Sequence, residues 1–170
     1  MKETKNVTSQ AGGPLTLLGE PTIIGEIAPN FTAVDITGNS IQLNDFKGKT
    51  VVLAVFPSID TKVCAMETRE FNKRATSLGD DVVVLTLSKD LPFALGRFCA
   101  AEGIKNVIPL SDYIQSEFGL KYGFLIKENM LLTRGVVIVD KLGKVVYVEY
   151  VNDIVKEPNY DAAIEHLKRL

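Results

Sequence analysis

The sequence of 170 residues contains one histidine, two cysteines and no tryptophan. This inventory nearly excludes a zinc site built from histidine and cysteine ligands. Two cysteines are also too few for a disulfide-stapled scaffold, and in a reducing compartment they are more often inert or catalytic than permanently bridged. A hydrolase that pairs cysteine with histidine is disfavoured, because His166 lies in the last predicted helix, where we expect a surface residue.

The sequence also lacks any apolar run that approaches the length of a membrane span. Its N-terminal segment MKETKNVTSQAGG has no apolar core of the kind that a secretory signal requires. With 19 basic and 21 acidic residues the net charge is −2, so bulk electrostatics gives no reason to expect a nucleic acid partner. We therefore expect a cytoplasmic protein that binds neither a membrane nor a nucleic acid.

No internal repeat, low-complexity tract or interdomain linker interrupts the chain. We expect residues 1–14 to form a flexible polar lead-in and residues 15–170 to fold as a single domain, which is the simplest organisation at this length. The scattered glycines, including Gly12 and Gly13, do not form a phosphate-binding loop. No metal, flavin or nicotinamide site is evident, so we expect no cofactor.

Strands are predicted wherever apolar residues run between turn signals. Continuous β-branched runs at residues 49–57 and 81–88 predict strands that are covered on both faces. Paired runs predict three hairpins, the first of which lies within Leu15 to Glu26. Their turns are expected at Gly19-Glu20-Pro21, Thr37-Gly38-Asn39 and Asp140 to Gly143.

Helices are predicted between these strands. Their expected limits are Thr61 to about Leu78, Asp90 as a cap to Gly103, Ser111-Asp112 as a cap to Gly119, and Pro158-Asn159 to Leu170. This order predicts an α/β fold in which helices flank a central mixed β-sheet. The arrangement resembles the thioredoxin fold with an N-terminal β-hairpin extension.

The stretch FPSIDTKVC, residues 56–64, places a cysteine in the first turn of a predicted helix. If Asp60 or Thr61 caps that helix, Cys64 lies where free N–H groups and the helix dipole favour an anion. The hydroxyl of Thr61 can reach back to the sulfur and hold an incoming oxygen atom. Pro57 has no N–H, ends the strand without an orphan donor, and can shelter one side of a thiolate.

Two other interpretations of Cys64 are open at this point. An arbitrary cysteine after a strand is most often a small buried hydrophobe, although the cap position and Thr61 argue against that here. A dithiol oxidoreductase needs a Cys-X-X-Cys motif, but Thr61 and Glu67 stand at the two partner positions. The stretch therefore predicts a sheltered thiolate beside a hydroxyl that binds oxygen.

The same stretch matches the Pro-x-x-x-Thr/Ser-x-x-Cys motif of peroxiredoxins, with Pro57, Thr61 and Cys64 in register. The longer segments FPSIDTKVCAMETREFNKRA and LPFALGRFCAAEGIKNVIPLSDY resemble the thiol peroxidase subfamily of atypical two-cysteine peroxiredoxins. The likeness runs from LTLLG to EPNYDAAI, which is nearly the whole chain. Lys62 departs from the small residue or proline expected there and adds positive charge near the thiolate.

The resemblance implies a role for each matching residue. Cys64 becomes the peroxidatic cysteine, which attacks hydrogen peroxide or an alkyl hydroperoxide and forms a sulfenic acid, while Thr61 hydrogen-bonds the peroxide and the sulfur. The family's active-site arginine falls on Arg134 in LLTRGVVIVD. Cys99 becomes the resolving cysteine, which forms an intramolecular disulfide with Cys64. The resemblance further implies thioredoxin as the reductant and a homodimer.

Without the resemblance, these residues have plainer interpretations. Arg134 would be a surface charge at a strand edge, and Cys99, with Phe93 and Phe98 nearby, would equally be a core residue. Two rival hypotheses for the whole chain are a redox sensor that signals through the same disulfide and an inert thioredoxin-like structural domain. A sensor would be oxidised once and stall, whereas in an inert domain Cys64 would react no faster than free cysteine.

Overall fold

The computed structural model describes residues Met1 to Leu170 as ten β-strands and four α-helices. The strands are β1 (Glu3–Gln10), β2 (Gly13–Leu18), β3 (Thr32–Asp35), β4 (Ser40–Gln42), β5 (Thr50–Val55), β6 (Val82–Ser88), β7 (Ile108–Ser111), β8 (Leu125–Ile126), β9 (Gly135–Val139) and β10 (Val145–Tyr150). The helices are α1 (Lys62–Ala75), α2 (Pro92–Glu102), α3 (Glu117–Tyr122) and α4 (Tyr160–Lys168). None of these helices is long and apolar enough to cross a membrane.

Seven strands form the central sheet in the order β10-β9-β5-β6-β7-β3-β4. β5 runs parallel to β6, and β6 to β7, while β9, β10, β3 and β4 pair antiparallel with their neighbours. All six residues of β5 are buried, because this strand lies in the interior of a sheet that is covered on both faces. The predicted mixed sheet flanked by helices is confirmed.

The two faces of the sheet carry separate apolar cores. One core of 18 buried residues contains the aromatic side chains Phe31, Phe118, Tyr122 and Phe124. The other core, of eight residues, includes Phe71 from α1 and joins that helix to α4. Four further buried residues, which include Cys64, form a small cluster of their own at one end of β5.

The N-terminal hairpin lies earlier in the chain than we expected. β1 pairs antiparallel with β2 through a turn at Ala11 and Gly12, and β2 pairs with β8. The carboxylate of Asp153 accepts hydrogen bonds from both turn N–H groups at 3.0 Å, and the buried Thr8 hydroxyl donates to Val151 O at 2.7 Å. The interpretation of residues 1–14 as a flexible lead-in is therefore corrected.

The physical reason for this difference is that β1 is a polar strand at the edge of a small sheet. An edge strand buries only part of one side, so its sequence lacks the apolar alternation that marks a half-buried strand.

The hairpin predicted around residues 19–21 does not form. The chain leaves the sheet at Gly19, and the side chains of Ile23 and Ile24 are exposed. The hairpins at Thr37 to Asn39 and Asp140 to Gly143 are confirmed.

Two predicted helix starts are also wrong. Leu91, not Asp90, is the N-cap of α2, because the Asp90 carboxylate is bonded elsewhere in the fold. Ser111 belongs to β7, and α3 begins only at Glu117. Asp112 nevertheless accepts hydrogen bonds from two N–H groups in the first turn of α3, those of Phe118 at 3.0 Å and Gly119 at 2.8 Å. The side chain of Asp112 therefore accepts hydrogen bonds from the start of α3, although Asp112 itself lies outside the helix.

We expect Gly135→Ala to destabilise the fold. A Cβ atom at this position would lie 2.1 Å from Glu149 O and 2.7 Å from a ring carbon of Phe124, and a sheet carbonyl cannot move aside. Overpacking of this kind typically costs about 1–3 kcal/mol of unfolding free energy. Urea denaturation followed by circular dichroism measures the loss. Gly96→Ala is the control, because its nearest contact is Ile36 Cβ at 3.8 Å, and equal midpoints for the two variants would contradict the steric argument.

Candidate active site

Cys64 lies in the first turn of α1, where Thr61 is the N-cap. The loop that leaves β5 turns into this helix and buries the cysteine completely in a cluster with Phe56, Ile59 and Leu95. Its Sγ accepts hydrogen bonds from Arg134 Nη2 at 3.2 Å and from the Ser58 N–H at 3.5 Å. A helix N-terminus, a backbone donor and a guanidinium thus converge on one sulfur atom, which is the environment that favours a thiolate.

Arg134 is 1% exposed and is held by two segments of the chain, α1 and the segment after β10. Its Nε and Nη2 donate to Ile154 O at 3.0 and 2.9 Å, and its Nη1 donates to Glu67 Oε2 at 2.6 Å. Burial opposes its charge, but Glu67 and Cys64 outweigh that effect and raise the pKa of Arg134. The guanidinium is therefore a fixed, permanent cation beside the sulfur.

Glu67 is a site residue that sequence reasoning missed. It is fully buried one helical turn beyond Cys64, and burial raises its pKa to about 8 although Arg134 opposes the shift. Its Oε2 accepts from Arg134, while its Oε1 has no hydrogen-bond partner. The available signal was its spacing, because residues three apart on a helix lie on the same face.

Thr61 is exposed, and its hydroxyl donates to Ser58 O at 3.0 Å rather than to the sulfur. Pro57 is buried at the end of β5. Both residues line a cavity of about 210 Å³ together with Ser58, Lys62 and Arg134. The structure therefore brings Pro57, Thr61 and Arg134 to one concave surface, and Cys64 contacts two residues of its wall.

Cys99 lies in α2 and is 8% exposed. Burial raises the pKa of its thiol. Neither cysteine is in a disulfide, so the structure is that of the reduced chain. The helix of Cys99 nevertheless contacts the surroundings of Cys64, because Leu95 belongs to the Cys64 cluster and Phe98 packs against it.

Asp90 connects the loop before Cys64 with the start of α2. Its carboxylate accepts from the Ser58 hydroxyl at 3.0 Å and from the Ile59 N–H at 2.7 Å. Sequence reasoning assigned this residue to a helix cap, because aspartate followed by a proline near the first helical position matches the local pattern of an N-terminus. Its observed role spans 31 residues, and no local pattern indicates it.

The comparison with known proteins decides the family. The redoxin family model matches residues 24–164. The chain belongs to the redoxin family. It is 51% identical over 159 residues to a thiol peroxidase of Streptococcus parasanguinis, with 94% of this chain and 96% of that protein covered. It is 48% identical over 159 residues to a thiol peroxidase of Bacillus subtilis, with 94% of this chain and 95% of that protein covered.

Solved structures of this redoxin's relatives agree with its fold. A peroxiredoxin-like protein from Aquifex aeolicus superposes with a TM-score of 0.91 at 35% identity and covers 99% of both chains. A thiol peroxidase from Chromobacterium violaceum superposes with a TM-score of 0.85 at 20% identity, covers 95% of both chains, and supports the fold alone. The predicted likeness to thiol peroxidases is confirmed, and thiol-dependent peroxide reduction is the activity of this redoxin.

We expect Arg134→Met to move the thiolate titration of Cys64 to higher pH. Methionine keeps an unbranched apolar stem but removes the only charged donor to Sγ, which lies at 3.2 Å. Loss of a charge-assisted hydrogen bond should raise the midpoint of this titration by about one pH unit or more. The ultraviolet absorbance of the thiolate measures this in a Cys99→Ser background, where only one thiol titrates.

Arg169→Met is the matched control, because that side chain is 76% exposed near the C-terminus. It should leave the titration unchanged. An identical titration for Arg134→Met would show that the guanidinium does not stabilise the thiolate.

Proposed function

We propose that Cys64 is the nucleophile that reduces hydrogen peroxide and alkyl hydroperoxides. The observation that carries this assignment is the 3.2 Å contact between Cys64 Sγ and Arg134 Nη2 in the first turn of α1. The thiolate is the reactive form of cysteine, and a buried guanidinium that cannot lose its proton stabilises that form. Cys64 is the only one of the two thiols with such a partner in the reduced structure.

The reaction at Cys64 transfers one oxygen atom. The thiolate attacks the terminal oxygen of the peroxide, an S–O bond forms, the O–O bond breaks, and the departing oxygen takes up a proton to leave as an alcohol or water. The sulfur is oxidised to a sulfenic acid as the peroxide is reduced. Negative charge moves from sulfur to the leaving oxygen, so donors fixed along that line stabilise the transition state.

Thr61, Arg134 and Pro57 prepare the peroxide for this attack. Because the Thr61 hydroxyl already donates to Ser58 O, its oxygen is free to accept a hydrogen bond from the O–H of a hydroperoxide. Arg134 lines the same cavity and supplies donors to the peroxide oxygens. Pro57 adds no competing N–H at this surface and limits the access of water to the sulfur.

We assign Cys99 as the resolving cysteine. Its thiol attacks the sulfenic sulfur of Cys64, a disulfide forms, and water leaves. Both sulfurs are buried in separate helices, and a disulfide needs Cα atoms within about 7 Å, so we infer that the first turn of α1 and part of α2 unwind at this step. The contacts of Asp90 to Ser58 and Ile59 lie between these segments and have to break as they move.

The return to the dithiol requires an external reductant. The chain has two cysteines, so no third thiol of its own can reduce the disulfide. We propose a thioredoxin-type dithiol protein as that reductant and the cytoplasm as the compartment, since a reducing compartment maintains such dithiols.

The roles assigned to Cys64 and Cys99 predict different losses of activity when each cysteine is replaced. Cys64→Ser should abolish peroxide turnover coupled to thioredoxin and its reductase, because an alcohol is not ionised at neutral pH. Cys99→Ser should still consume one equivalent of peroxide and then accumulate sulfenic or over-oxidised Cys64. Mass spectrometry of the wild-type chain after one equivalent should show the loss of two hydrogens within one chain.

Three results would overturn these assignments. Substantial turnover by Cys64→Ser would remove Cys64 as the nucleophile. Sustained coupled turnover by Cys99→Ser would remove the resolving role of Cys99. A wild-type chain that oxidises once and is not reduced again by the thioredoxin system would support the redox sensor instead.

We also propose that the chain forms a homodimer through the face at the start of α2. Phe93 is 85% exposed, and Leu91 beside it is 51% exposed, which is unusual for apolar side chains of this size that are close together. They follow Asp90, whose carboxylate contacts the loop before Cys64, so this face adjoins the candidate active site.

Phe93→Glu should convert the dimer to a monomer, because a buried carboxylate without a partner is costly at an interface. Light scattering coupled to size-exclusion chromatography measures the mass. The control is Leu142→Glu, which introduces the same charge at a side chain that is 80% exposed on the β9–β10 turn. A dimer that persists in Phe93→Glu and dissociates in Leu142→Glu would place the interface on the other side of the molecule.

A further inference from the structure

Three ionisable side chains, Cys64, Arg134 and Glu67, form what we call the buried triad. Arg134 is its centre, with Nη2 at 3.2 Å from Cys64 Sγ and Nη1 at 2.6 Å from Glu67 Oε2. Cys64 and Glu67 have no exposed surface, and Arg134 has 1%. Two acids thus share one cation in the buried interior of the protein.

The charges around the buried triad do not relieve this imbalance. Glu67 also faces Glu149 of β10, Glu157 in the segment before α4, and Tyr160 at the start of α4, whose hydroxyl donates to Glu157 Oε1 at 3.0 Å. Arg134 is the only cation among these groups. If Cys64 and Glu67 were both ionised, the buried triad would carry a net negative charge with further carboxylates nearby, which burial makes costly.

The hydrogen bonding of Glu67 shows where a proton fits. Its Oε2 is occupied by Arg134, while its Oε1 is buried and has no donor. A carboxylate with an unsolvated oxygen is poorly stabilised, and a proton on Oε1 removes the charge without disturbing the Arg134 contact. The raised pKa of Glu67, about 8, is consistent with this arrangement.

We propose that Glu67 is a positioning residue that competes with Cys64 for the charge of Arg134, so that the two acids share a single proton. The inference rests on the proposed role of Cys64. In one form Cys64 is a thiol and Glu67 a carboxylate; in the other Cys64 is a thiolate and Glu67 a carboxylic acid. The second form is the one that attacks peroxide, and the charge of the buried triad is zero in both.

This sharing has a consequence for titration. Coupled acids lose their protons in two macroscopic steps that belong to the pair. The thiolate absorbance of Cys64 should therefore rise in two phases. In the first phase the pair loses one of its two protons, and the remaining proton is shared. In the second phase the pair loses that shared proton, so that both acids are ionised. A glutamate that only anchors the guanidinium would leave Cys64 with a single phase.

Glu67→Gln separates the two possibilities. Glutamine keeps the size of the side chain and an oxygen that accepts from Arg134, but it removes the competing acid. We expect the thiolate of Cys64, in the Cys99→Ser background, to titrate in one phase with a midpoint lower by about one pH unit. A glutamate that only anchors Arg134 stays ionised throughout, so it predicts a single phase both in the parent and in Glu67→Gln.

The matched control is Glu70→Gln, three residues further along the same helix. The side chain of Glu70 is 32% exposed, and its Oε1 lies 2.6 Å from Arg74 Nε. This variant should leave the two-phase titration of the parent unchanged. Circular dichroism verifies that both variants are folded. A single phase in the parent, or a midpoint in Glu67→Gln that is equal or higher, would overturn the proposal.

Infrared difference spectroscopy observes the proton itself. Alkylation of Cys64 in the Cys99→Ser background makes the sulfur neutral, so Glu67 should ionise to pair with Arg134 and lose its carboxylic acid band at neutral pH. That band should be absent from the difference spectrum of Glu67→Gln. A spectrum without it in the parent would contradict the shared proton.

Neither measurement uses peroxide. Failure of the coupling and failure of Cys64 as the nucleophile are therefore distinguishable, because the latter is decided by the turnover of Cys64→Ser.

Discussion

The position of one guanidinium governs the geometry of the whole site. Arg134 donates to Cys64 in α1, to Glu67 one turn later in the same helix, and to Ile154 O in the segment after β10. A planar fork satisfies three acceptors only when all three lie near its plane, so the helix and that segment are fixed relative to the start of β9. The proposed stabilisation of a thiolate and the burial of Glu67 both depend on this arrangement.

The sheet register explains why these elements meet. β5 and β9 are antiparallel neighbours, and Val55 at the end of β5 pairs with Gly135 at the start of β9. The chain that leaves β5 toward Cys64 therefore begins beside Arg134, although the two residues are 70 positions apart. Gly135 itself carries no side chain, which allows Glu149 O and Phe124 to pack closely against the backbone next to Arg134.

Local patterns made part of this site predictable. The position of Cys64 follows from the predicted strand at residues 49–57 and the cap at Thr61, and both are features of adjacent residues. Arg134 needed the family likeness, because nothing in LLTRGVVIVD indicates a partner so far along the chain. Asp90 was misassigned for a related reason: its sequence context fits a helix cap, whereas the long-range contacts to Ser58 and Ile59 decide its place.

The division of the core is compatible with both a rigid site and the movement that the proposed disulfide between Cys64 and Cys99 requires. The two large clusters of 18 and eight residues pack against the faces of the sheet and contain neither cysteine. Cys64 belongs instead to a cluster of four with Phe56, Ile59 and Leu95, at the end of the sheet. The free energy of burial scales with the apolar area involved, so opening this small cluster costs far less than disturbing either large one. The proposed release of Cys64 to Cys99 can therefore take place while the sheet stays intact.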